Sequence, residues 1–222
     1  MTTTADVTQE AIELLKTVTT GMVIDALAMS GIQGGIPGIR PSRGFEDAKV
    51  VGPAVTVLFA PARPDSPKLN NYQVVRDSKP GTVLVIDGKG VDGHFTGDNQ
   101  GEVAKRQGML GVVVYGGARD VSGYRQIGIP LYCTGSATAD KPKDLVLTAY
   151  NVPIEIGGVL VKPGDVIVAD EDGVVAVPSE ALAQVVENMK TIFEVEAGME
   201  AAIKRDASLA ELSAIIGKKK PK

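Results

Sequence analysis

Apolar residues recur along this chain with different periods, and each period predicts a different element. In TQEAIELLKTV they fall at helical spacing, which predicts a first helix starting at Thr8 as N-cap with Glu10 in its first turn. VTTGMVIDALAMSGI predicts a second helix, with Thr20 near its cap and Gly31 closing it before the GGIPGIRP loop. Residues 50–59, VVGPAVTVLF, are β-branched and almost wholly apolar, the pattern of a strand covered on both faces. APARPDSPKLNNYQVVRD then turns polar before a helical piece.

From there the pattern alternates. It predicts a strand at 81–88, a glycine-rich loop, a helix at about 98–108, a strand at 109–116, a loop, and a short IPLYC strand. Apolar strands alternating with helices imply parallel pairs, because parallel strands need a crossover. LVLTAYNVPIEIGGVLVKPGDVIVADEDGVVAVP reads instead as hairpins, with turns at Gly157-Gly158, Pro163-Gly164-Asp165 and Asp172-Gly173. A long helix is expected from about Ser179, as its cap, to Lys204. With no internal repeat and no low-complexity linker, residues 1–222 read as one α/β domain, with 217–222 a flexible tail.

Composition narrows the function classes. The 44% of hydrophobic residues is enough for a substantial core. A balance of 23 Lys+Arg against 27 Asp+Glu, net -4, creates no field that would draw in nucleic acid. The one basic cluster is the tail Lys218, Lys219, Lys220 and Lys222, which reads as a solvated end. A single cysteine, Cys133, excludes an internal disulfide, and with one histidine beside it the thiolate and imidazole zinc sites lack ligands. Cys133 lies in the apolar run IPLYC and reads as a buried thiol. The start lacks the basic and apolar regions of a signal peptide, and no apolar run approaches the ~18 residues of a membrane span. A soluble, cytoplasmic protein with no membrane partner is expected.

Candidate chemistry concentrates in TGDNQGEVAKRQGMLGVVVYGGARDV, residues 96–121. If the strands either side of the helix are parallel neighbours, their carboxyl ends share an edge, where ligands bind in open α/β sheets. The amides of Asn99, Gln100 and Gly101 open that helix, and free N–H groups at its positive end suit a carboxylate. Arg119 offers a planar fork for a second contact to the same anion. Asp98 and Asp120 are hard oxygen donors of the kind that hold Mg²⁺ or Mn²⁺. A plainer reading stands beside this one: Asp98 as an N-cap only, and Arg119-Asp120 as an ion pair in a turn. His94 reads as a loop histidine near this edge, Asp87 and Asp92 as turn formers, and the DEDG stretch at 170–173 as a hairpin turn. Neither GGIPG nor GKG fits the phosphate-loop pattern.

These segments resemble one family. TTGMVIDALAMSGI, the GIRP turn, VVGPAVTV, GTVLVIDG, GDNQG with GMLGVVVYGGARDV, and KPGDVIVADEDGVVAVP together are similar to the RraA-like family. That family holds the 4-hydroxy-4-methyl-2-oxoglutarate / 4-carboxy-4-hydroxy-2-oxoadipate aldolases and the regulator of ribonuclease E activity A. Asp98, twenty residues, then Arg119-Asp120 looks like the D-x20-R-D signature of its aldolase members.

The resemblance implies a layered αββα sandwich with a mixed central sheet, related to phosphohistidine-domain folds. It implies homotrimers or homohexamers, with the 179–204 helix contacting a neighbouring subunit. It implies a lyase that cleaves a 4-hydroxy-2-oxo acid to pyruvate and a second 2-oxo acid and also decarboxylates oxaloacetate. By the same resemblance Asp120 ligates Mg²⁺ or Mn²⁺, Asp98 holds a water beside the ion, and Arg119 binds the pyruvyl group. Gly97 and the amides of Asn99 and Gln100 complete the anion site. An acid from a neighbour's C-terminal region would be Glu196, chosen among Glu194, Glu196 and Glu200.

This chain also departs from the family pattern. It has Asn99-Gln100 where aldolase members often have Leu-Leu, and Gly123 where regulator members often carry an acid. It lacks the Ile-Arg pairing expected near the end of the C-terminal helix. The regulator members imply a second class of function, a non-enzymatic protein that binds and inhibits a ribonuclease.

Overall fold

A computed structural model describes residues 4–220. In chain order the elements begin α1 (Thr4–Lys16), α2 (Thr20–Ala28), β1 (Gly35–Ile36), β2 (Arg40–Pro41), β3 (Val50–Pro61) and α3 (Asn71–Asp77). They continue β4 (Val83–Asp87), α4 (Asp98–Arg106), β5 (Gly111–Ala118), α5 (Val121–Ile127) and β6 (Leu131–Ser136). The last third holds β7 (Leu145–Tyr150), β8 (Ile154–Ile156), β9 (Val159–Val161), β10 (Val166–Asp170), β11 (Gly173–Val177), α6 (Leu182–Lys204) and α7 (Leu209–Ile216).

β3 organises the mixed sheet because it is long enough to serve several partners. Along one edge it pairs with β10 through residues 50–53 and with β7 through 57–61, both antiparallel. Along the other edge, residues 54–58 pair with β4 in parallel, and β4, β5 and β6 follow in parallel order. Neighbouring parallel strands in sequence order put their crossover helices α3, α4 and α5 on one face, since such crossovers share one hand.

Side-chain alternation then separates three apolar layers. Leu84, Ile86, Val112 and Val114 face α3–α5, while Val83, Val85 and Val113 face the other way. On β10 and β11, Val166, Val168, Val175 and Val177 meet α1, α2 and α6. Their alternates, Ile167, Ala169, Val174 and Ala176, share the middle layer with Val83, Val85, Val113 and the small β8–β9 hairpin. The order is helices, sheet, sheet, helices, with β3 common to both sheet portions. This agrees with the α/β class and mixed central sheet expected from the sequence. Cys133 is buried in this core, and desolvation pushes its thiol pKa up, which keeps it inert.

Several local expectations change. α1 starts at Thr4, not Thr8, because no glycine or proline interrupts the preceding turn. Pro163-Gly164-Asp165 is no hairpin: among the described residues β9 pairs only with β8, and the turn hands the chain over to β10 beside β3. Ser179 does not cap the long helix by its side chain; its own N–H donates to Asp165 Oδ1 at 2.9 Å, at the head of a 3₁₀ turn. Beyond the long helix lies α7, which was not among the expected elements, and part of the 217–222 segment expected as a flexible tail is folded. Ser208 caps α7 by accepting from the Glu211 amide, and Gly217–Lys219 form a 3₁₀ turn held by Lys219 on Asp25 and Glu196. Residues 221–222 of that expected tail lie outside the described residues. No helix among the described residues is long and apolar enough to cross a membrane.

The DEDG turn does join β10 to β11, and its first residue has a further task. Asp170 accepts from the Thr20 amide at 2.8 Å and the Thr20 hydroxyl at 2.7 Å, and Lys49 lies 3.2 Å away. Desolvation opposes ionisation there, but the two Thr20 bonds and Lys49 outweigh it and hold the carboxyl below its ordinary range. Asp170→Ala should therefore lower stability at neutral pH by about 1–3 kcal/mol, seen as a lower Tm. A depressed carboxyl contributes fully above its unfolded pKa and loses that contribution as pH falls through its folded value. The Tm gap between parent and variant should accordingly begin to narrow as pH falls below about 4; a gap constant from pH 7 to pH 3 would contradict the assignment.

Candidate active site

The carboxyl ends of β4 and β5 open into a cleft of about 490 Å³. Its floor is built by two helix starts, because each parallel strand leads into a crossover helix. α4 begins at Asp98, with Gly97 as N-cap. Asp120 is the N-cap of α5, a helix the sequence did not announce and whose place was expected to be a glycine-rich turn.

Asp120 is unusual in two respects. Its backbone is left-handed (φ 56°, ψ 38°), a conformation most side chains avoid and aspartate tolerates. Its side chain makes no capping bond to its own helix. The carboxylate instead faces Gly97, where a Cβ would lie 2.7 Å from Asp120 Oδ2. Asp98 has the reciprocal relation to the other helix: a Cβ on Gly123 would lie 2.3 Å from Asp98 Oδ2 and 2.5 Å from its Cβ. Each carboxylate thus rests on a glycine of the opposite helix start. Asp98 is not the N-cap, and no capping bond from its side chain explains its presence.

Arg119 Nε lies 3.1 Å from Asp120 Oδ2, so the turn ion pair of the plainer reading exists. With the two side chains 52% and 42% exposed, it is weak and leaves most of the guanidinium fork free. The Arg119 amide donates to Thr96 O at 3.1 Å, and Thr96 Oγ1 bonds the Tyr124 hydroxyl at 2.5 Å. Burial pushes the Tyr124 pKa far up, Thr96 counters it, and the negative charges of Asp98 and Asp120 add to the rise. The phenol stays protonated and ties α5 to the loop before α4.

The turn expected to bind an anion differs in one detail from expectation. The Gln100 and Gly101 amides both donate to Gly97 O, at 3.1 and 3.2 Å, because the first turn of α4 closes tightly. Among the described residues, the open donors at this helix start are the amides of Asp98 and Asn99. The Asn99 side chain is exposed and that of Gln100 is buried.

His94 joins the wall of the cleft and is not a free loop residue. Strand-like bridges to Gly117 and Asp140 hold its backbone, Nδ1 lies 2.8 Å from Ala139 O, and Nε2 lies 3.4 Å from Asp140 Oδ1. These bridges bring in Asp140, Lys141 and Lys143, and α3 contributes Asn71 and Tyr72. None of these five was singled out from the sequence, and only a long-range pairing places them. Lys141 Nζ donates to Leu145 O at 2.6 Å and sits 5.6 Å from the Phe59 ring centroid.

Asp87 is fully buried and paired with Lys89, whose amide it also accepts at 2.9 Å, so it acts as a turn former. Asp92 is exposed. The α6 acids lie outside this chain's own cleft: Glu196 pairs with Lys219, Glu200 with Lys204, and Glu194 is exposed.

Comparisons with known proteins agree with this architecture. The RraA-like family profile, described as Aldolase/RraA, matches residues 20–176. Protein DlpA of Legionella pneumophila is 33% identical over 85% of this chain, which spans 31% of that longer protein. A Halalkalibacterium halodurans protein, provisionally named a 4-hydroxy-4-methyl-2-oxoglutarate aldolase, is 35% identical over 79% of this chain and 80% of its own length. Among solved structures, RraAS2 of Streptomyces coelicolor, described as an unusual member of the RNase ES inhibitor RraA protein family, superposes with a TM-score of 0.76. It is 34% identical and covers 88% of this chain and 98% of its own.

The reciprocal packing can be checked without reference to activity. Gly123→Ala should cost about 1–3 kcal/mol in urea unfolding, because the new methyl group meets the base of Asp98. Gly135→Ala, whose Cβ would meet nothing within 4 Å, should stay within about 0.5 kcal/mol of the parent. Equal effects at the two positions would contradict the close approach.

Proposed function

The chain belongs to the RraA-like, Aldolase/RraA family, and on that premise we propose that it is a divalent-metal-dependent lyase. Its substrate would be a 4-hydroxy-2-oxo dicarboxylic or tricarboxylic acid, cleaved to pyruvate and a second 2-oxo acid, with oxaloacetate decarboxylation as a side activity. The observation that carries this reading is the meeting of Asp98, Asp120 and Arg119 in one cleft, with neither carboxylate used for helix capping.

The donor set suits Mg²⁺ or Mn²⁺. Among the described residues there is no cluster of three or more His, Cys, Asp or Glu side chains, as a closed structural site would have. Two carboxylates with open surroundings match an ion that keeps places for water and substrate oxygens. Asp120 would hold it, with Asp98 beside it. When bound, the ion supplies an electrophile for the 2-oxo group and so stabilises enolate charge.

The chain's own groups do the rest. Arg119 and the open amides of Asp98 and Asn99 hold the C1 carboxylate and fix which bond is aligned for cleavage. Asp98, through a water, takes the proton of the C4 hydroxyl. As the C3–C4 bond breaks, its electron pair moves into the pyruvyl half as an enolate and C4 becomes a carbonyl. The proton returns to C3 to give pyruvate. With oxaloacetate the same bond breaks, CO₂ leaves, and the same enolate is protonated. A neighbouring copy in a trimer or hexamer would add an acid from α6, with Glu196 the candidate.

The likeness to RraAS2 favours one second reading, a protein that binds and inhibits a ribonuclease through its surface. The two separate in one assay of pyruvate release from 4-hydroxy-4-methyl-2-oxoglutarate and oxaloacetate. Turnover should require Mg²⁺ or Mn²⁺, stop with EDTA, and fall by at least about 100-fold in Asp120→Ala and Arg119→Ala with the fold intact by circular dichroism. No metal-dependent turnover of any 2-oxo acid would overturn the lyase reading.

A further inference from the structure

One wall of the cleft is left unused by the chemistry proposed above. Residues 137–141 run beside the end of β5 and are fixed there at several points. The Ala137 amide donates to Ala118 O at 2.9 Å, the His94 amide to Ala139 O at 3.0 Å, and the Gly117 amide to Gly93 O at 3.1 Å. A Cβ on Gly93 would lie 2.7 Å from Lys141 Cα, so the two backbones are in direct contact. The end of β5 leads straight into Arg119 and Asp120, and the segment after Gly93 leads into Asp98. The wall is therefore held in register with both helix starts.

Two lysines stand on it, Lys141 and Lys143, and both line the cleft. Lys143 is exposed and Lys141 half-buried. An ammonium has three donors, and Lys141 uses one of them on Leu145 O. The ion pairs of the cleft are Arg119 with Asp120 and His94 with Asp140, so among the described residues neither lysine has a carboxylate partner. With the histidine neutral, Arg119, Lys141 and Lys143 balance Asp98, Asp120 and Asp140 in formal charge. A divalent ion then leaves two positive charges, and the C1 carboxylate on Arg119 and the α4 amides answers only one of them.

Resting on the lyase reading, we infer that Lys141 and Lys143 form a second anion subsite that takes the carboxylate carried on C4 of the aldol substrate. They are the residues that select a dicarboxylic over a monocarboxylic 4-hydroxy-2-oxo acid. That carboxylate stays ionised through cleavage and leaves in the second 2-oxo acid, so the contact persists from substrate to product and acts on binding more than on the bond-breaking step.

The test is the ratio of kcat/KM for 4-hydroxy-4-methyl-2-oxoglutarate to kcat/KM for 4-hydroxy-2-oxopentanoate, which keeps the C4 hydroxyl and methyl and lacks the second carboxylate. It is measured with Mg²⁺ in the parent, in Lys143→Met, in the double variant Lys141→Met/Lys143→Met, and in Lys141→Arg/Lys143→Arg, with folding checked by Tm. The parent should favour the dicarboxylate, and the double methionine variant should lower the ratio at least about tenfold. The loss should lie in KM for the dicarboxylate, with the monocarboxylate within about twofold of the parent. Lys143→Met should lower the ratio by less, and the arginine pair should restore most of it. A parent without preference, an unchanged ratio, or an equal loss on both substrates would each overturn the inference and leave the lyase reading standing. A parent with no metal-dependent turnover of any 2-oxo acid would overturn that reading and this inference with it.

Discussion

Two glycines let two helix starts interlock, and the cleft depends on that contact. Asp120 lies over Gly97 and Asp98 over Gly123 at distances that no Cβ could share. An ordinary N-cap aspartate spends its carboxylate on its own helix. Here both carboxylates are turned across to the neighbouring helix and remain available to a ligand. The left-handed backbone at Asp120 is part of the same arrangement, since it turns the chain into α5 directly after the arginine. At Gly123 any side chain would displace Asp98.

The sheet makes the interlock possible. β4 and β5 run side by side in parallel, so α4 and α5 both start from the same edge and their dipoles point into one cleft. Thr96 and the buried Tyr124 brace the two starts from below. The antiparallel half of the sheet, with α1, α2 and α6, forms the supporting layer, and Asp170 ties α2 to the β10–β11 turn.

The parts of this site that a reader of the sequence can find are those written locally. The apolar runs of β3, β4 and β5, the helix after Asp98 and the twenty-residue interval before Arg119-Asp120 all carry their own signals. α5 does not: VSGYRQI is seven residues with a glycine and a β-branched start, so neither period nor propensity marks it. α7 was readable in principle, because Ser208 and Glu211 have capping-box spacing ahead of an apolar run. His94, Lys141 and Lys143 become one wall only through the His94–Asp140 bridge, a pairing across some forty-five residues that no short window contains. That Gln100 is nearly buried while Asn99 beside it is exposed is likewise a property of the packed cleft and not of the NQ dipeptide.

The family, the helix starts and the charged groups lead to one central claim: Asp98, Arg119 and Asp120 form a single site for a divalent ion and a 2-oxo acid. Oxalate resembles the pyruvate enolate in charge and shape, so calorimetric titration of Mn²⁺ into the protein with and without oxalate tests that claim without any turnover. The account predicts one ion per chain, bound more tightly when oxalate is present, with the oxalate effect lost in Arg119→Ala and ion binding lost in Asp120→Ala. Mn²⁺ binding that is absent, or that is unchanged by oxalate and by both substitutions, would contradict it.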